Sequence, residues 1–122
     1  MNTHVLYACG VINALFALFH LVLARSIQHL ALLSPGHRAL LHALNFGGVL
    51  ALVFLAAAFL ACQPDLRSRL GRLTILLGAV VYLTRALEEF VLFPRIGWVV
   101  VVLCALAGLL HLAALRPATV RA

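Results

Sequence analysis

Two histidines, two carboxylates, an amide and an arginine carry the widest chemistry in this chain: His20, His42, Glu88, Glu89, Asn45 and Arg85. Imidazole and carboxylate together suit a transition metal such as zinc, iron, copper or manganese. Carboxylates beside histidines also suit a proton relay or an acid–base pair. A metal would take neutral His20 and His42 with at least one of Glu88 and Glu89, and Arg85 would oppose the cation unless it paired with the spare carboxylate. Arg85 precedes Glu88 and Glu89 by three and four residues, the separation at which side chains meet on one helix. A third reading of the same groups is helix-to-helix glue, in which each bond contributes about 0.6 kcal/mol.

Other chemistry lacks its sequence signature. There is no phosphate-binding glycine loop, no H-E-x-x-H, no C-x-x-C-H and no E-x-x-H pair. Cys9, Cys62 and Cys104 are odd in number and form no C-x-x-C, so they point to neither a disulfide framework nor a cysteine zinc site. Ser34, followed by Pro35, reads as a helix cap and first turn rather than a nucleophile.

The elements that position these groups follow from composition. Of 122 residues, 66% are hydrophobic and 10% charged, against about a quarter charged in soluble domains. Mean hydropathy is +1.16. A water-soluble fold of this size has too little interior for that much apolar surface. Four apolar stretches, 4–24, 38–62, 71–93 and 97–115, each match the length that spans a hydrocarbon core. The expected fold is therefore an all-α integral membrane protein, an antiparallel four-helix transmembrane bundle forming one domain over 1–122. The first run lacks the positive leader of a cleavable signal and is expected to stay as an anchor. In the first connection, Ile27, Leu30, Leu32 and Leu33 are expected in the membrane interface. Pro94-Arg95-Ile96-Gly97 leaves barely a turn, so spans three and four should form a hairpin.

The third span draws charge into the membrane. Its uncharged run from Leu73 to Thr84 is too short to cross and must continue through Arg85, Glu88 and Glu89 to Phe93. At about 100° per residue, Thr74, Gly78, Tyr82, Arg85, Glu88 and Glu89 form one stripe, which should face protein. The other spans repeat the pattern: Cys9, Asn13 and His20 share one face, Arg38, His42 and Asn45 another, and Cys104, Gly108 and His111 a third. Helical rise places His20, His42, Asn45, Glu88 and Glu89 about 5 to 10 Å inside one membrane boundary, with Arg85 slightly deeper. By the same count His111 is interfacial at the opposite boundary, and Asn13 and Asn45 mark close helix packing.

The charge of +6 comes from nine arginines, with no lysine, against Asp65, Glu88 and Glu89. Most arginines flank apolar runs as topology determinants do, and no basic cluster with interleaved aromatics suggests a nucleic-acid face. Arg67, Arg69, Arg72, Arg116 and Arg121 fall on the side of the termini, and Arg25, Arg38 and Arg95 on the other. The positive-inside bias then places the termini in the cytoplasm and the polar layer near the non-cytoplasmic face. Arginine without lysine points to a GC-rich bacterial genome, hence to a bacterial cytoplasmic membrane. The expected partners are the lipid bilayer and either a further copy or a larger membrane complex. Three roles fit: a metal- or proton-linked site, an accessory or assembly subunit, and a small dimeric proton-coupled transporter.

Overall fold

Asn2, Ser34 and Ser68 each turn a side-chain oxygen onto a backbone amide two or three residues ahead, and a helix starts at each. In the computed structural model, which describes residues 2–116, these are α1 (Thr3–Gln28), α2 (Pro35–Ala61) and α3 (Arg69–Val91). The fourth helix, α4 (Trp98–Ala114), starts at Gly97, which has no capping side chain of its own. A 3-10 turn, Asp65–Arg67, lies between α2 and α3. Met1 and residues 117–122 lie outside the described residues, and with them Arg121 of the arginine count.

All four expected spans are helices, with shifted ends. α1 runs on through Arg25 to Gln28, and Ile27 is turned into the protein instead of lying in an interface. Leu30 and Leu32 stay exposed. Three helices, α1, α2 and α3, are long and apolar enough to cross a membrane. α4 is apolar but has 17 residues, about 25 Å of helix.

Contacts at both ends of each pair set the directions. Gly10 lies against Leu60 while His20 lies against Gly48, so α1 and α2 are antiparallel. Gly78 lies against His111 while Glu89 reaches Gly97, so α3 and α4 are antiparallel too. Two buried layers hold the bundle. One joins Leu6, Cys9, Leu55, Phe59, Ile75 and Ala114, and Leu66 of the 3-10 turn completes it at 3% exposure. The connection between α2 and α3 is thus a plug on one end of the bundle, a role that its polar Gln63, Asp65 and Arg67 do not announce. The other layer joins Ala17, Leu52, Tyr82, Ala86, Cys104 and Ala107.

Candidate functional site

The polar residues of the interior form three separate clasps between helices. The first closes α1 onto α2. Asn45 Nδ2 donates to the His20 carbonyl at 2.9 Å, so its Oδ1 is the acceptor for His20 Nδ1 at 2.8 Å. His20 therefore carries its proton on Nδ1 in this bond. The ring lies over Gly48, where the absence of a side chain makes room for it. His42, one turn before Asn45, is half-buried.

The second clasp closes the turn between α3 and α4. Glu89, 4% exposed, accepts from Arg85 Nη2 at 2.6 Å and from the Gly97 amide at 2.9 Å. The acid thereby caps the start of α4, which its own N-cap residue leaves open. Glu88 stands 3.8 Å from Arg85 Nη1 with its side chain 43% exposed, and the Arg85 guanidinium lies over the Phe93 ring. Phe90 meets Trp98 edge-on across the same turn. The two carboxylates differ accordingly. Glu89→Gln removes the charge facing Arg85 and should lower the melting temperature in detergent while leaving insertion intact. Glu88→Gln should lower the melting temperature less than Glu89→Gln, because at 3.8 Å the half-exposed Glu88 makes no hydrogen bond to Arg85. Equal effects of the two substitutions in a thermal scan would refute this division.

The third clasp joins α1, α3 and α4 near the middle of the bundle. Tyr82 Oη donates to Asn13 Oδ1 at 2.8 Å, and Asn13 Nδ2 lies 3.2 Å from His111 Nε2. His111 Nδ1 lies 2.8 Å from the Ala107 carbonyl, which only accepts, so Nδ1 carries the proton and Nε2 accepts from the amide. Asn13 and His111 are fully buried and Tyr82 is 2% exposed. Phe59 and Tyr82 flank the imidazole, and Phe16 stacks edge-on against Tyr82. The ring rests on Gly78 of α3.

This placement corrects the interfacial reading of His111. α4 stops at the level of Ile75, so counting depth from the end of α4 underestimates it. Measured along α3, Gly78 is nine residues beyond Arg69, about 13 Å along the axis from the start of the helix. The signal was present in the sequence, since Asn13, Tyr82 and His111 each occupied the polar face of its helix.

The expected polar layer is thus brought together in parts. His20 meets Asn45, and Arg85 meets Glu88 and Glu89. The proposed metal set of His20, His42, Glu88 and Glu89 is not assembled: among the described residues, no three His, Cys, Asp or Glu side chains stand where one metal ion would be held. The physical reason is that stronger local partners claim the donors, Asn45 for His20 Nδ1 and Arg85 with the Gly97 amide for Glu89. Compared with known protein families, with curated proteins and with solved structures, the chain matches none.

Proposed function

We propose that this chain is a four-span integral membrane protein of a bacterial cytoplasmic membrane, working as an accessory or assembly subunit of a larger membrane complex. The observation that carries the reading is the mutual pairing of its interior polar side chains. Asn13, Tyr82 and His111 bind one another, His20 binds Asn45, and Glu89 binds Arg85 and Gly97. Groups so paired fasten helices, each bond contributing about 0.6 kcal/mol in a membrane interior. The outward surface is hydrocarbon: Leu15, Phe19, Phe46, Phe54, Leu73 and Leu106 are among its exposed side chains. Such a chain offers lipid and neighbouring helices a rigid apolar surface. α4 fits the span reading at the short end of the range.

Purification from native membranes in mild detergent, with mass determined by light scattering, tests this reading. The expected result is a complex of fixed stoichiometry with a second membrane protein, preserved in the Glu88→Gln variant. A monodisperse particle containing only this chain would overturn it.

One observation favours a second reading, a metal- or proton-linked site. His20 bonds through Nδ1, which leaves Nε2 a lone pair with no protein partner among the described residues, and His42 is half-buried on the adjoining helix. Elemental analysis separates the two. A stoichiometric transition metal lost on His42→Ala supports the second reading, and substoichiometric metal removes its metal form.

A further inference from the structure

Between α1 and α4 the surface opens into a groove of about 640 Å³. Ile12, Phe16, Val100 and Ala107 form its half-buried or buried floor. Leu15 and Phe19 form one rim and Leu103 and Leu106 the other, all exposed. The ten lining side chains are all hydrocarbon. A ligand that placed a polar group at this depth would lose its hydrogen bonds to water without replacement.

The shape narrows the occupant further. A stable protein interface takes about 800 Å² from each partner, whereas two turns of α1 and three of α4 wall this groove. A thin, extended occupant fits better than a helix. From Val99 to Leu110 the groove runs eleven residue steps along α4, about 16 Å. That is close to one leaflet, half of a hydrocarbon core roughly 30 Å thick. Its outer end lies at the start of α4, where Arg95 occupies the exposed turn four residues before Val99. Both ion pairs among the described residues belong to Arg85, so Arg95 faces its surroundings without a carboxylate.

We infer that the α1–α4 groove holds one acyl chain of an anionic phospholipid, with the lipid phosphate held at Arg95. The inference rests on the reading of the helices as membrane spans, which alkaline extraction of wild-type membranes tests separately.

Native mass spectrometry of the full chain, titrated with dioleoyl phosphatidylglycerol and dioleoyl phosphatidylcholine, tests the site. The wild type should retain one phosphatidylglycerol in preference to phosphatidylcholine. Leu103→Trp, which fills the groove from one rim, should weaken retention about tenfold, equivalent to roughly two buried methylenes. Leu15→Trp fills it from the opposite rim and serves if the first variant fails to fold. Leu109→Trp, exposed on the same helix but outside the groove, should change nothing. Arg95→Gln should reduce the preference for phosphatidylglycerol about fivefold and leave phosphatidylcholine retention unchanged. Equal retention in the groove-filled variants and the Leu109→Trp control would overturn the proposal. So would a lipid-free wild-type dimer that Leu103→Trp turns into a monomer, which would assign the groove to a protein partner. An unaltered lipid preference in Arg95→Gln would overturn the phosphate contact.

Discussion

His111→Ala is expected to destabilise the protein by about 2 to 5 kcal/mol, the range for emptying a fully buried site. Two effects act together. Removing the ring leaves a void bounded by Phe59, Tyr82 and Gly78, all held by their own helices. It also leaves the Asn13 amide hydrogen without an acceptor in a dry interior, a loss of about 1 to 3 kcal/mol when the group stays buried and unpaired. Tyr82→Phe and Asn13→Leu separate the hydrogen bonds from the packing, since both keep most of the side-chain volume. A double-mutant cycle on that pair should give a coupling of about 0.6 kcal/mol, rarely above 2. Unfolding in mixed micelles, followed by circular dichroism, measures both quantities. If His111→Ala were no more destabilising than Tyr82→Phe, the ring would not be the centre of the packing.

Alanine at Gly71 or Gly78 should cost about 1 to 3 kcal/mol as overpacking, while the same change at Gly47, in mid-helix with open space, should stabilise by about 0.4 to 1 kcal/mol. A Cβ at Gly78 would stand 2.5 Å from His111 Cδ2 and 2.9 Å from Nε2. The ring has no room to yield, because Ala107 holds its Nδ1, Asn13 its Nε2, and Phe59 and Tyr82 flank it. At Gly71 the obstacle is the backbone of Asp65 and Leu66, so the added carbon would unseat the plug between α2 and α3. Gly48 is intermediate, with His20 Cε1 at 3.3 Å and a half-buried ring able to shift. No atom lies within 4 Å of a Cβ at Gly47, which faces outward. The same thermal or denaturant scan should order the variants Gly78→Ala and Gly71→Ala well below Gly48→Ala, with Gly47→Ala at or above wild type. A loss at Gly47 in the isolated chain would contradict its open position.

Much of the architecture follows from local rules. The apolar lengths and the caps at Ser34 and Ser68 determine where helices run, because an uninterrupted hydrocarbon stretch has few other ways to satisfy its backbone. Periodicity also selected the inward faces: Asn13, Asn45, Tyr82, Glu89 and His111 are all buried. The pairing of Arg85 with Glu89 was legible because it lies within one helix at a separation of four.

Partner choice between helices was decided only in the tertiary structure. Knowing a residue's face leaves its height relative to the neighbouring helix open, and one turn of slippage is about 5.4 Å, more than the tolerance of a hydrogen bond near 3 Å. That height is set by close contacts with no local signature, Gly10 on Leu60, Gly48 against His20 and Gly78 on His111. Where α4 ends relative to α3 moved His111 from an expected boundary to the bundle centre beside Asn13 and Tyr82. The same registers gave His20 to Asn45 and Glu89 to the Gly97 amide, where sequence periodicity alone grouped the polar residues as one site.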